Sequence, residues 1–272
     1  MCIRDRRRIA RELDSTDHAF TWRSQFKQAL AKFVLLVPTA FIIYLASWTG
    51  WLSTTGGYDR GWANDPANRW GGLLSWVPIP LQSLWHYHAE AYGFHVGLRT
   101  PHSYASSPLI WLLQLRPVSF FYQGATLGQN GCNAEGGCSS AITALSNVFI
   151  WWAALAALLF LVLIYIKRQD RVAGFLLLGV AAGYLPWMLY LQRTVFQFYI
   201  VAFQPFVMLA LAYALAVLWR QTEPESRPAA VRTFAIFGVA IVGFSAFFTT
   251  IWFGTWVPYW YWLAHMWLPS WI

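Results

Sequence analysis

Two arginines pose the chemical question. Arg116 closes the apolar half-span "PLIWLLQLRP", and Arg193 lies in "YLQRTVFQFY", a connection of a few residues between two apolar runs. An ionisable side chain at membrane depth is costly and marks a functional site by default. The flat guanidinium fork grips a phosphate through two parallel hydrogen bonds. The chemistry offered at these positions is therefore capture of a phosphate at lipid head-group level. His102, Tyr104 and Ser106, in the string "PHSYASSP" ahead of Arg116, are the candidate hydrogen-bonding helpers. The competing reading makes each arginine a snorkelling anchor at the end of a span.

Other reactive side chains have simpler competing roles. His86, His88 and His95, with His102, invite a metal site. On a helix His88 and His95 share a face while His86 points elsewhere. That favours an interfacial helix carrying histidines as amphipathic polar residues, and no metal is expected. Asp59 and Asp65 are the local candidates for a general base, but Arg60 and Arg69 stand beside them, as in ordinary solvated loop pairs. Cys132 and Cys138, in "GCNAEGGCSS", are separated by five residues including two glycines. Such a loop can bring two Cα atoms within the roughly 4.4–6.8 Å that a disulfide needs. A disulfide is expected, with two free thiols or a metal site as the alternatives.

The elements that must hold these residues are membrane helices. Hydrophobic residues make up 58% of the chain and charged residues 11%, against about 25% charged in a soluble domain. Eighteen tryptophans and thirteen tyrosines suit a protein with two membrane–water interfaces. A helix needs about 20 apolar residues to cross the hydrocarbon core. Five runs qualify, roughly 33–52, 145–166, 172–191, 195–219 and 233–254. Pro38, Pro186 and Pro205 fall inside them, which neighbouring helices can accommodate. The net charge of +8 does not point to nucleic acid, because no basic module interleaved with aromatics is present.

Orientation follows from lysine and arginine. Eight lie in the N-terminal segment (Arg4, Arg6, Arg7, Arg8, Arg11, Arg23, Lys27 and Lys32), three in "IKRQDRV", and three around the last connection at Arg220, Arg227 and Arg232. The other side holds Arg60, Arg69, Arg99, Arg116 and Arg193. By the positive-inside rule the N-terminus is cytoplasmic and the C-terminus extracytoplasmic. The chain then divides into a basic cytoplasmic segment 1–32, a span 33–52, an extracytoplasmic loop 53–144, a four-span region 145–254 and an extracytoplasmic tail 255–272. The loop shows no strand alternation of any length. "LQSLWHYHAEAYGFHVGL" is expected to form an amphipathic helix on the outer face. A short helix from about Pro108 to Leu115 is expected to dip into the outer leaflet, with Pro108 in its first turn and Pro117 ending it. The expected fold class is an all-α integral membrane protein of about five transmembrane helices plus interfacial ones.

Five blocks carry a family resemblance: "SLWHYHAEAYGFHVGL", "PHSYASSPLIWLLQLRPVSFFY", "GCNAEGGCSSAITALSNVFIWW", "GYLPWMLYLQRTVFQFYIVAFQPF" and the terminal "HMWLPSWI". In this order they resemble the C-terminal half of actinobacterial protein O-mannosyltransferases, over about residues 33–272. The resemblance implies a multi-pass GT-C-type glycosyltransferase of the plasma membrane with about eleven spans, of which this chain would hold the last five. It implies transfer of mannose from polyprenyl-phosphate-mannose to Ser or Thr hydroxyls of secreted proteins. It also implies that the catalytic acidic pair lies in the N-terminal half of the enzyme, to which no residue here corresponds. The catalytic residues are thus unknown in this chain, which is expected to be inactive without that half. The opening "MCIRDRRR" is unlike a natural start, and a truncated fragment is expected.

The chemistry fits such a division. Phosphate leaves as a stable anion, so one carboxylate base suffices to take the acceptor proton. The other need is positive charge where the leaving phosphate forms. This half would supply that charge and part of the lipid groove, with no cofactor beyond the lipid-linked donor. The alternatives are another polyprenyl-phosphate-sugar glycosyltransferase or a non-catalytic membrane scaffold. A transporter is disfavoured because the spans carry their charges at the ends.

Overall fold

The computed structural model describes residues 22–272. The basic cluster Arg4, Arg6, Arg7, Arg8 and Arg11 and the chain's unusual start lie outside the described residues. Two compact units divide the chain between Phe94 and His95.

The first unit opens with α1 (Trp22–Ser47), whose 26 residues reach about 39 Å at 1.5 Å per residue. Leu35, Leu36, Ile42 and Ile43 are all exposed on it, the mark of a helix that is apolar all round and faces lipid. Pro38 removes one helical donor, and the neighbouring Thr39 hydroxyl donates to the Leu35 carbonyl at 2.8 Å. The apolar run long enough to cross is Phe26–Ser47, earlier than the expected 33–52, because the helix ends at Ser47 and a separate short helix, α2 (Thr49–Ser53), follows. The polar loop after α2 is ordered from α3 (Ile79–Gly97). Buried Gln82 accepts from the Trp70 amide at 2.8 Å and donates to the Val77 carbonyl at 2.7 Å, while Ser83 accepts from the Ala63 amide at 3.1 Å. A helix is thus present over "LQSLWHYHAEAYGFHVGL", but its buried residues are Gln82, Ser83 and Leu84 at its start rather than an apolar stripe, so the expected amphipathic pattern is not seen.

In the second unit, α4 (Val148–Arg168), α5 (Arg171–Tyr184) and α6 (Gln204–Gln221) pack on one another, and α7 (Arg227–Trp252) packs against α4 and a small sheet. Asn147 starts α4 by accepting from the Phe149 and Ile150 amides, each at 3.1 Å. Trp151, Ala154, Leu158, Leu161 and Ile164 recur at helical spacing and form its buried stripe. Small residues let the helices approach closely: a Cβ on Gly183 would sit 2.6 Å from that of Phe203. Among the described residues four helices are long and apolar enough to cross a membrane: α1, α4, α5 with its continuation to Tyr190, and α7 with the turn before it. The remaining expected span, 195–219, begins as a helix only at Gln204, with Pro205 in its first turn. Before it the chain makes a 3-10 turn over Gln197–Ala202.

The helical class holds, but the loop between α3 and α4 carries strands that its residue pattern did not announce. β1 (Ser119–Ala125), β2 (Cys138–Thr143) and β3 (Val257–Pro258) form an antiparallel sheet in that order. β2 is buried along most of its length while β1 is exposed over most of its own, so neither shows the period-two alternation of a half-buried strand. The Cys132 and Cys138 sulfurs are bonded across the hairpin connection, with Cα atoms 5.7 Å apart. The short helix at Pro108 is 3-10 rather than α and runs Pro108–Leu113, with Ser107 as its N-cap and Gln114 in the left-handed region at its end.

Asp170 fixes the turn between α4 and α5. Its carboxylate accepts from the Val172 and Ala173 amides, each at 2.9 Å, and from the Tyr213 hydroxyl at 2.8 Å. The Ala173 amide, helped by Tyr213 and Val172, holds this carboxyl below its ordinary value of 3.8 against a partial desolvation that raises it. A depressed folded pKa gives stability that is complete above the unfolded value and is lost as pH falls through the folded one. Asp170→Ala is therefore expected to lower unfolding stability in detergent by about 1 kcal/mol at neutral pH. The difference from wild type should stay constant down to about pH 4 and shrink below it. A difference that instead grew on acidification would contradict the cap.

Candidate functional site

The string ahead of Arg116 is irregular chain laid along the segment that follows Arg193. Thr194 donates its amide to the Leu98 carbonyl at 3.0 Å and its hydroxyl to the Thr100 carbonyl at 2.6 Å, and the Ser106 amide donates to the Val195 carbonyl at 2.9 Å. His102 accepts from the Tyr104 amide at 3.1 Å and sets its ring edge-on to Phe196, with centroids 5.0 Å apart. The Arg116 guanidinium lies over the Tyr104 ring at 5.0 Å. His102, Tyr104 and Arg116 are thus held on one short stretch of chain. Ser106 is turned inward, and its Oγ accepts from the Trp111 indole at 3.0 Å.

The two arginines differ in what their donors reach. Arg116 Nη1 donates to the Ser270 and Ile272 carbonyls at 2.6 and 2.8 Å, and Nη2 to the Ser103 carbonyl at 3.0 Å. Its amide donates to Gln197 Oε1 at 3.2 Å. This guanidinium ties the string to the terminal segment. Arg193 places Nη2 3.3 Å from His95 Nδ1 and lies over the Trp187 ring at 5.8 Å, while its Nε is buried with no hydrogen-bond partner. A buried donor left unmatched calls for an explanation. Arg193 also lines a cleft of about 430 Å³ with Arg99, Val96, Met188, Tyr190 and Gln192. Two guanidinium groups and no carboxylate make this a place for an anion, and the apolar side chains of Val96 and Met188 suit a substituent of low polarity.

Arg99 went unremarked as a site residue in the sequence. The available signal was its place among the few basic residues on the side away from the lysine-rich connections. Gln197, fully buried with its Nε2 unpartnered, was also missed; a glutamine inside an apolar run was the clue.

The remaining candidates go to separate partners. His86 stacks on Trp62 at 3.9 Å and lies 3.9 Å from Asp59. His88 bonds the Tyr44 hydroxyl and places Nδ1 2.6 Å from the Leu84 carbonyl oxygen. Asp65 caps the turn at Pro66 by accepting from the Ala67 amide at 2.9 Å. Among the described residues no three His, Cys, Asp or Glu side chains gather as a metal site would require. The first unit holds its own cavity of about 590 Å³, lined by Phe41, Tyr44, Trp70, Trp76, Trp85 and His88.

The chain is similar to known proteins over most of its length. Residues 80–271 match the family described as the C-terminal four-transmembrane region of protein O-mannosyltransferase. The chain is 31% identical to the polyprenol-phosphate-mannose–protein mannosyltransferase of Mycolicibacterium smegmatis over 97% of its own length and 51% of that protein's. It is 28% identical to the enzyme of the same description from Mycobacterium tuberculosis, over 87% of this chain and 45% of the relative. It therefore spans about half the length of the curated relatives it matches. Its fold is similar to that in the Saccharomyces cerevisiae protein O-mannosyltransferase Pmt1–Pmt2 complex bound to the sugar donor. That match has a TM-score of 0.55 and 23% identity, over 74% of this chain and 27% of the other.

The contrast between the arginines yields a stability test. Arg116→Ala removes three charge-assisted bonds to carbonyls and is expected to cost about 2 kcal/mol. Arg193→Ala should stay within about 0.5 kcal/mol of wild type. Thermal unfolding followed by tryptophan fluorescence in detergent measures both, and the reverse ranking would contradict the assignment.

Proposed function

Because the chain belongs to the protein O-mannosyltransferase family, as its C-terminal multi-span region, we propose that it is the donor-binding half of a membrane enzyme that mannosylates secreted proteins. The donor would be polyprenyl-phosphate-mannose and the acceptor a Ser or Thr hydroxyl. The observation that carries this reading is the cleft lined by Arg99 and Arg193 with the unpartnered Arg193 Nε. In the transfer, the acceptor oxygen bonds to the sugar's anomeric carbon as the bond from that carbon to the phosphate oxygen breaks. The electron pair leaves with the polyprenyl phosphate, and the acceptor proton goes to a general base. Arg193 and Arg99 stabilise the charge that grows on the departing phosphate. Arg116, with His102 and Tyr104, borders the site and holds its wall, and Ser106 anchors that wall through Trp111.

The base is expected in the part of the relatives that this chain does not cover, so the chain by itself would not turn over. In this reading the multi-pass chain sits in the plasma membrane with its N-terminus cytoplasmic. The loop, the arginine cleft and the C-terminal segment then face outward, where the low count of basic residues agrees with the positive-inside rule.

The test uses the complete enzyme in membranes, with mannose transfer from the lipid-linked donor to a Ser/Thr peptide as readout. Arg193→Ala should lower kcat/KM by about 10²–10³-fold, as loss of one transition-state charge donor does, and Arg99→Ala should lower it less. Turnover unchanged in both variants would overturn the phosphate assignment. Transfer of a different sugar in preference to mannose would favour another enzyme of the lipid-phosphate-sugar class.

A further inference from the structure

β1 is an edge strand whose Phe120 and Tyr122 rings touch Phe198 and Trp262 (centroids 5.4 and 5.0 Å apart), while its outer backbone edge carries no paired strand among the described residues. Among the described residues only β2 pairs with it, and alternate residues of an antiparallel strand aim their N–H and C=O groups away from the partner. Beyond the ladder, a single hydrogen bond reaches the backbone of β1 among the described residues, from Ser119 Oγ to the Phe121 carbonyl. Its sequence, "SFFYQGA", has no charge and no proline, the devices that normally blunt a free edge. Such an edge cannot sit unpaired in hydrocarbon, where each unmatched backbone group costs several kcal/mol. Its backbone edge needs polar partners, and it displays Phe120 and Tyr122, which are 58% and 48% exposed.

The strand also leads into a cleft of a different character from the arginine cleft. A space of about 490 Å³ is lined by Tyr122, Gln129, Glu135, Ser139 and Tyr259 together with backbone of the hairpin. The disulfide between Cys132 and Cys138 fixes one wall, and the Tyr122 hydroxyl lies 3.0 Å from Ser139 Oγ. Glu135 is the only acidic side chain in the second unit outside the two lysine- and arginine-bearing connections, which hold Asp170, Glu223 and Glu225. A row of unpaired amides and carbonyls is complementary to one kind of molecule, an extended polypeptide backbone, and the lone carboxylate at its end is complementary to a basic side chain.

We propose that the free edge of β1 binds the acceptor polypeptide as an added strand, with the cleft at Glu135 receiving a cationic side chain of that peptide. This rests on the reading of the chain as part of a protein-mannosylating enzyme. Main-chain pairing gives affinity with little demand on sequence. It also holds the peptide straight, with successive side chains presented on alternate sides.

The test measures binding rather than transfer, on this chain in nanodiscs, by fluorescence anisotropy of a labelled Ser- and Lys-containing decapeptide. Two further peptides carry N-methyl groups on one or the other alternate set of residues. An added strand uses the amides of one set alone, so one methylated peptide should bind about tenfold more weakly, as loss of two or more net hydrogen bonds implies, and the other should bind like the parent. Glu135→Gln, an exposed position that leaves the hairpin core untouched, should weaken the parent severalfold and leave a peptide with norleucine in place of lysine unaffected. Equal binding of all three peptides would overturn the proposal. So would displacement of the peptide by methyl α-mannoside, which would make the cleft a sugar site, or a stable dimer in which β1 is covered by a second copy. A failure of the arginine variants to affect mannose transfer would leave these peptide results standing, so the two readings fail separately.

Discussion

A carbonyl buried inside protein has no water to bond, and the irregular chain of the second unit depends on how that demand is met. Indole groups meet much of it. Trp151 donates to the Leu112 carbonyl at 2.6 Å, Trp111 to that of Ser106 at 3.1 Å, Trp271 to that of Gln114 at 2.8 Å and Trp252 to that of Leu145 at 2.7 Å. The Tyr184 hydroxyl adds a bond to the Pro108 carbonyl at 2.8 Å. Each ring buries its apolar body and uses its one polar atom on the backbone. Buried irregular backbone is tolerated only where its polar groups find partners, and these rings supply them. Gln114 completes the lock from a left-handed conformation, pairing its fully buried amide with Ser146.

That lock separates the two arginines into different jobs. Arg116 works on the same problem as the indoles, answering carbonyls of Ser103, Ser270 and Ile272, and so draws the terminal segment onto the string. Arg193 stands just beyond the pinned chain, with the Thr194 amide and hydroxyl used on Leu98 and Thr100. Its backbone is held while its guanidinium is only partly matched. A rigid mount with an unmatched charge is what pre-organised electrostatic stabilisation needs, because little reorganisation remains when the anion arrives. The same residue type at the two positions thus meets different surroundings: Arg116 is used on carbonyls, and Arg193 keeps an unmatched donor.

Much of the helical frame could be read from composition and apolar runs, because a membrane helix must be long and nearly uncharged. The ends were less legible. The first helix stops at Ser47, short of the apolar run that continues to Leu52, and the segment from Val195 stays irregular until Gln204, although its hydropathy is continuous. Hydropathy counts side chains and is blind to where backbone bonds close. The sheet was hidden for a related reason. β2 is buried on both faces and β1 exposed over most of its length, so neither alternates, and its position depends on pairing with Val257 and Pro258, more than a hundred residues away. At the site, residue type and side of the membrane singled out Arg193, but they could not distinguish it from Arg116. That distinction needs the carbonyls of Ser270 and Ile272, distant in sequence and silent in composition.

The central claim is that the Arg193 cleft recognises the phosphate of a lipid-linked donor. It is tested most directly by equilibrium binding of a short polyprenyl phosphate and of the matching polyprenol to this chain in nanodiscs, in wild type and Arg193→Ala. Wild type should prefer the phosphate by about tenfold or more, the size of one or two charge-assisted hydrogen bonds, and the substitution should erase that preference while leaving polyprenol binding unchanged. A preference for the phosphate that survives Arg193→Ala undiminished, or no preference in wild type, would contradict the claim.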